Sequence, residues 1–510
     1  MKTTRELVTS LALNFPAMSS NKLMSFTFQK LIKRKFHGTA VKSSKFWRGL
    51  VEKELQSIKP EEKNESVCIY RVPPNMLNVE PKAYIPSNIS IGPYHYGSQH
   101  LQEMEVLKNK FFHRLFDPNG ANGSKLEEAC KFLEKEEINA RNCYMGEIKL
   151  SSDEFLKMML VDGSFIIQLL RDLSDNEFKH VPSLSRWMLP TIRREMIMLE
   201  NQLPMFVLTK LFELTDKNNS LHPQMSFYNL SFKFFYRLLQ SESRKTPECQ
   251  TSYKFKIEHV LDLLRYNIRP KLIGEEPRGC QSQMIHSITE LKEGGVKIKA
   301  CESRELMDIS FGKKWGIMVK ELTIPPLYIG DHRGTVFRNI VAFEKCHKRC
   351  NPDMTTYMFF LNRLINSAND VSALHYKGVI HHSLGSDEHV AELINNIAKE
   401  IVPDMNESYL YNVVNEANEY LGCWRARFRA SLVHNYLTSW AVGLSTLGAL
   451  LALYFTFIQA ICGFADAATK LEKAKFSSVI RSLIIIPFRD PPHYTVFDDV
   501  SKKIDHGTNN

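Results

Sequence analysis

What the chain lacks narrows its chemistry. Across 510 residues there is no Walker-type phosphate loop, no GxGxxG, no HExxH and no GxSxG, so the common nucleotide, zinc-protease and hydrolase fingerprints are absent. The ten cysteines, at 68, 130, 143, 249, 280, 301, 346, 350, 423 and 462, form no CxxC pair. That spacing excludes a zinc ribbon and a dense disulfide framework, and leaves reduced, mostly buried thiols as the reading. With 23 Gly and 22 Pro the chain is too poor in both for collagen-like or proline-rich repeats.

Acid is nearly missing from one end. Residues 1–48 carry ten Lys or Arg against a single acid, Glu6, whereas the remainder is close to neutral, with 56 basic and 55 acidic residues. The net charge of +10 therefore belongs to the start, and the folded body has no footprint for a polyanion; no nucleic-acid partner is expected. Residues 1–42 read as a disordered or targeting extension. The segment from Leu7 to Phe15 is broken by Thr9, Ser10 and Asn14, which does not suit a secretory signal.

Charge is also missing from Trp440 to Ala465, 26 residues in a row. As a helix this run reaches about 39 Å, more than the roughly 30 Å of a hydrocarbon slab, so it reads as a transmembrane helix with Tyr436 and Trp440 at one interface. Ala441, Ser445, Gly448, Ala449 and Ala452 gather on one face, the kind of small-residue face through which membrane helices pack; a homo-oligomer is one use for it. Arg425, Arg427 and Arg429 before the run nearly balance Lys470, Lys473, Lys475 and Arg481 after it, so charge leaves the orientation open. Sequons at Asn64, Asn88, Asn122, Asn218, Asn229 and Asn406 matter only if the body is lumenal. Residues 466–510 read as a disordered tail.

Between these ends, residues 43–437 read as one mainly α domain. Its opening is punctuated by proline (Val72-Pro73-Pro74, Ile85-Pro86, Gly92-Pro93), which forces extended or turn backbone. Apolar periodicity then predicts amphipathic helices over 126–146 and 152–173, the latter capped by Ser151 or Ser152, followed by 193–213 and 255–266. Short alternating runs between 288 and 329 predict a small antiparallel β insert, and helices resume over 336–366, 387–401 and 407–437.

Chemistry has few candidates. Asp162, Glu195 and Glu200 lie in apolar surroundings, where burial would raise a carboxyl toward general-acid use; the same placement suits a buried polar network that fixes how helices meet. Cys346-His347-Lys348-Arg349-Cys350 is the nearest approach to a metal cluster, with His381-His382 as its only candidate partner. No catalytic residue, metal site or cofactor is assigned.

A set of ordered motifs identifies the chain more sharply. Ile69-Tyr70-Arg71-Val72-Pro73, Tyr84-Ile85-Pro86 and Ser90-Ile91-Gly92-Pro93-Tyr94-His95 are followed by Ala140-Arg141-Asn142-Cys143-Tyr144, Asp162-Gly163-Ser164-Phe165 and Leu199-Glu200-Asn201-Gln202-Leu203-Pro204. Phe337-Arg338-Asn339-Ile340-Val341-Ala342-Phe343-Glu344 and Asn369-Asp370-Val371 complete the series. Over about residues 43 to 462 the sequence resembles the plant family of domain of unknown function 247. The resemblance implies a plant-specific, mostly helical protein with one hydrophobic segment near the C-terminus and no established activity or cofactor. The association of some grass relatives with self-incompatibility loci points to recognition. Ser164 stands where the family usually has Cys, Glu195 where an Asp is expected, and Thr438-Ser439-Trp440 lacks the usual Asn-Pro.

The sequence thus predicts a large, mainly helical globular domain with a small antiparallel β insert and one C-terminal transmembrane helix. A polar network of Arg141, Asp162, Glu200, Asn201, Gln202, Arg338, Asn339 and Glu344 is expected inside the domain. Its expected role is protein recognition or scaffolding at the plasma membrane, with the lipid bilayer and a protein as partners. A membrane-tethered enzyme using a buried carboxylate, and an organellar membrane protein, are the alternatives.

Overall fold

A computed structural model of the chain describes residues 66–484 apart from 117–122, 176–183, 186, 217–222, 240–248, 251–255, 271–284, 302–304, 314–319, 400, 402–407 and 437–439, together with 48–49 and 51–53. The expected extension over 1–42 lies outside the described residues. Helices dominate those that are described. Where the sequence reads as one body, the chain divides into two compact units, residues 1–267 with 332–354 and residues 268–331 with 355–510.

The first unit is built around the helix Ser152–Asp175. Ser151 caps it in a capping box: its hydroxyl accepts from Glu154 N (3.3 Å) and Glu154 Oε2 accepts from Ser151 N (3.1 Å). The helix is not amphipathic in its middle. Phe155, Met159, Phe165, Ile167, Leu169, Leu170 and Leu173 are all fully buried, because other helices cover it on several sides. Gln102–Phe116 packs along it with Phe111 edge-on to Phe165 at 5.0 Å. Met205–Leu214 comes so close that a Cβ on Gly163 would meet Leu211 Cδ1 at 2.6 Å. The small residue after Asp162 is what permits that approach. Ser164 donates to Leu160 O at 2.6 Å and is fully buried.

The single helix expected over 193–213 is instead two, Met188–Glu195 and Met205–Leu214. Pro204 has no N–H and cannot continue a helix through this point, so residues 196–204 form an irregular crossing. The unit is completed by Gly123–Asn142, Pro223–Tyr236, Val260–Ile268 and most of Asp331–Cys346.

The second unit holds the strands. β1 (Lys297–Ala300), β2 (Ser310–Lys313) and β3 (Lys320–Ile324) form a sheet in the order β1-β3-β2. β2 and β3 are antiparallel, as expected, but β1 runs parallel to β3, so the expected antiparallel insert is corrected to a mixed one. Alternation fixes which face is buried and carries no information on direction, and the passage through β2 gives the chain length that a parallel crossover needs. β4 (Leu327–Ile329) pairs in parallel with the distant β5 (Ile380–His382). Asp370, in the cap of Ala368–Tyr376, accepts from Thr289 N (3.2 Å) and Thr289 Oγ1 (2.7 Å), which ties that helix to Ile288–Glu293.

The last described helix runs from Trp440 to Ile484. Its stretch Leu444–Ile480 is long and apolar enough to cross a membrane, and none of it is buried. The helix does not stop at Ala465: Ala467, Ala468, Leu471, Glu472, Lys473 and Ala474 are strong helix formers and carry it on, so the tail read as disordered from 466 is helical to Ile484. Ser445, Gly448, Ala449 and Ala452 lie exposed on it.

Candidate functional site

The proline-punctuated segment 69–95 creates a problem that the rest of the first unit solves. Proline leaves this segment only the short helices Pro74–Val79 and Pro81–Ala83, yet much of the rest is buried: Val72, Ile89 and Ile91 are core residues outside both. Buried N–H groups without a ladder need other acceptors. Side chains supply them.

Glu195, at the end of its helix and fully buried, accepts five hydrogen bonds. Oε1 takes Ser87 N (3.0 Å), Ser87 Oγ (2.7 Å) and Asn88 Nδ2 (3.0 Å), and Oε2 takes Asn88 N (2.9 Å) and Ile89 N (2.9 Å). Asn201 continues the series, its Oδ1 accepting Ile91 N at 2.5 Å while Nδ2 donates to Ile89 O and Glu195 O, each at 3.0 Å. Gly92 N donates to Asp162 Oδ2 at 2.8 Å. Gly92 has φ of +78°, and a Cβ there would lie 2.5 Å from Gln202 O, so only glycine fits. Glu200 Oε1 accepts Val72 N at 2.8 Å.

The crossing 196–204 is held in the same way. Gln202 Nε2 donates to Met196 O (2.8 Å), Met198 O (2.9 Å) and Asn201 O (3.0 Å), and its Oε1 accepts Leu261 N at 3.2 Å. Asn339 accepts Leu199 N at 2.8 Å and donates to Ala83 O at 2.8 Å, joining both irregular segments to the helix Asp331–Cys346. Tyr144 Oη donates to Gln202 O at 3.0 Å.

Charge is balanced locally. Lys108 is fully buried, with Nζ 2.7 Å from Asp162 Oδ1 and 2.6 Å from Glu105 Oε1. Burial pushes the Asp162 carboxyl up to about 6, against the pull of Lys108 and the Gly92 N–H. Burial would also strip the Lys108 proton, but Asp162 and Glu105 outweigh it and hold the ammonium above its ordinary value. Glu200 shows the opposite balance. Burial raises it, yet His95 at 3.3 Å, the Val72 N–H and Arg71 at 3.6 Å together lower it. The exposed Arg71 guanidinium lies over the Tyr94 ring, 4.1 Å from its centroid.

Of the residues expected to form a network, the fold brings together Asp162, Glu200, Asn201, Gln202 and Asn339. Arg338 is buried beside Tyr84, and burial lowers its guanidinium. Glu344 accepts Met354 N at 3.1 Å and so serves the start of the following helix, Asp353–Leu364. Arg141 makes a separate clasp, donating to Glu137 Oε1 (2.8 Å) and to the carbonyls of Ile148 (3.2 Å), Leu150 (3.0 Å) and Ser151 (3.1 Å). Glu195, read from the sequence only as a carboxylate in apolar surroundings, and Lys108 belong to the network as well. For Lys108 a signal existed: Met104, Lys108, Phe111 and Leu115 share a helical stripe, and all four are buried.

The residues considered for metal serve the backbone and the core. His347 Nδ1 lies 3.1 Å from Tyr70 Oη, its ring stacks on Phe343 at 4.9 Å, and Cys350 Sγ donates to His347 O at 3.2 Å. In the other unit His382 Nε2 meets Asp387 Oδ1 at 2.8 Å. Among the described residues no group of three or more His, Cys, Asp or Glu is placed to hold a metal ion.

Comparison with known proteins is consistent with the motifs. No solved structure matches. The chain is 30% identical over 416 residues to UPF0481 protein At3g47200 of Arabidopsis thaliana, covering 78% of this chain and 86% of that protein. It is 25% identical over 485 residues to the putative UPF0481 protein At3g02645 of the same plant, covering 77% and 89%. The family model described as plant protein of unknown function, DUF247, matches residues 69–455, and the chain belongs to that family.

Proposed function

We propose that this chain is a plant single-pass membrane protein, held at the plasma membrane by the helix Trp440–Ile484, whose folded body acts by protein recognition or scaffolding rather than by catalysis. The observation that carries the reading is the helix itself: Leu447, Leu450, Leu453, Phe457, Ile461 and Phe464 are all exposed, a surface with no counterpart on a soluble monomer. At 1.5 Å per residue its 45 residues reach about 68 Å, so it crosses the hydrocarbon and continues as a charged helix beyond.

The non-catalytic half rests on the carboxylates. Asp162 and Glu195 are occupied by donors of their own chain and shielded from solvent, and Glu200, the other carboxylate open to an acid–base role, is taken up by Val72 N, His95 and Arg71. The test uses the full chain and a version ending at Tyr436, expressed in plant cells. The full chain is expected to stay in the membrane pellet after alkaline carbonate extraction and the shortened one to be released; release of both would overturn the anchor. Cross-linking in the same microsomes is expected to trap a protein neighbour or a second copy, and a strictly monomeric result at all cross-linker lengths would overturn recognition as the role.

A further inference from the structure

Two cysteines of the first unit flank the bridge between Ile69 and Tyr144. Ile69 forms a parallel bridge with Tyr144, which makes Cys68 and Cys143 the neighbouring partners one register earlier. Cys143 O accepts from both Cys68 N (2.9 Å) and Ile69 N (2.8 Å), so the two backbones are in direct contact at this register. Backbones joined at a β-bridge lie about 4.8 Å apart, and Cys68 and Cys143 flank that bridge, within reach of the roughly 4.4–6.8 Å window of Cα separations that a disulfide spans. The two thiols are near enough to shift each other's titration. Cys143 Sγ also lies 3.3 Å from Asn139 O. Both residues are buried, Cys68 at 1% exposure and Cys143 at 8%.

We propose that Cys68 and Cys143 form a reversible intramolecular disulfide by exchange with a small disulfide such as oxidised glutathione. Cys143 is the attacking sulfur: it is the more accessible of the two, and the neighbouring Cys68 thiol lowers it, while the Cys143 thiol and burial push Cys68 up. The Cys143 thiolate attacks one glutathione sulfur, the glutathione S–S bond breaks, and one glutathione thiolate leaves. Cys68 then gives up its proton, attacks Cys143 Sγ in the mixed disulfide, and the second glutathione leaves. Two protein thiols are oxidised, and one glutathione disulfide is reduced to two thiols. The bond staples the segment that carries Arg71 and Val72 to the end of the helix Gly123–Asn142, and the chemistry is the same on either side of a membrane.

The test uses the full chain in detergent micelles, incubated across glutathione mixtures from fully reduced to fully oxidised, alkylated, and digested with trypsin without reduction. The tryptic peptides 64–71 and 142–149 are expected to appear joined, two hydrogens lighter than their sum, and to separate with dithiothreitol. Cys68→Ser and Cys143→Ser are each expected to abolish the joined species. A second arm refolds the chain from denaturant in the same mixtures, so that restricted access in the folded protein does not decide the outcome. Both peptides alkylated in both arms, or either sulfur joined to a different cysteine, would overturn the proposal.

Discussion

Replacing Glu195 with alanine is the sharpest perturbation of the buried site. The variant removes the acceptor of three backbone N–H groups, those of Ser87, Asn88 and Ile89, and of two side-chain donors. Ser87 and Asn88 lie near the surface, where water can replace the carboxylate, so their loss costs only the difference between a charged and a solvent acceptor. Ile89 is fully buried, and its orphaned N–H carries the full penalty of about 1–3 kcal/mol. With about 1 kcal/mol for each of the two exposed amides, and the cavity where the side chain stood, the expected loss is about 4 kcal/mol. That is a large fraction of a typical stability of 5–15 kcal/mol. Urea unfolding of the full chain in micelles, followed by tryptophan fluorescence, measures it, with the first unit's transition compared between variant and parent because two units need not unfold together. A loss below about 1 kcal/mol would refute the reasoning, since it would mean that these amides find other partners.

Further outcomes follow from the same geometry. Lys108→Met strands Asp162 as a buried charge and is expected to cost about 3–5 kcal/mol near neutral pH. Because burial already raises Asp162, the folded variant takes up a proton more readily than the unfolded chain, so the deficit should shrink as pH falls toward 5; a pH-independent deficit in urea midpoints would contradict the pairing. The lowered carboxyl of Glu200 works the other way in the parent protein, whose stability from this group is present above the ordinary glutamate range and lost as pH falls through the depressed value. Gly92→Ala forces a Cβ at positive φ against Gln202 O and should cost at least about 2 kcal/mol in the same assay, with a neutral result refuting the tight approach. Asn88 carries a sequon, but its Nδ2 donates to Glu195 and Ser87, so peptide mapping of the mature protein is expected to find it without glycan in any compartment.

Periodicity carried the helices well where one face is apolar, and the long helices of the first unit are legible for that reason. It failed at 196–204, where Met196, Met198, Leu199 and Leu203 keep a helical rhythm through a segment that is not helical; only Pro204 and the run Glu200-Asn201-Gln202 signal the break. Asn201 and Gln202 were legible as buried polar groups because their neighbours are apolar. Their partners were not, since Asn201 binds Ile91 and Gln202 binds Leu261, residues distant in the chain and set by the fold. Glu195 is legible as a carboxylate in apolar surroundings, but nothing local reveals the five donors that surround it. The direction of β1 was equally hidden, because alternation reports burial and not orientation.

The central claim is that side chains take the place of secondary structure at Val72 and over residues 87–92. Hydrogen exchange on the full chain in lipid nanodiscs, read by mass spectrometry with fragmentation to single amides, tests it most directly. Val72, Ile89, Ile91 and Gly92 lie in no strand or helix ladder, yet their N–H groups are bonded to Glu200, Glu195, Asn201 and Asp162. These four amides are expected to exchange as slowly as the core of the helix Ser152–Asp175. Exchange within seconds, at the rate of an exposed loop, would contradict the account.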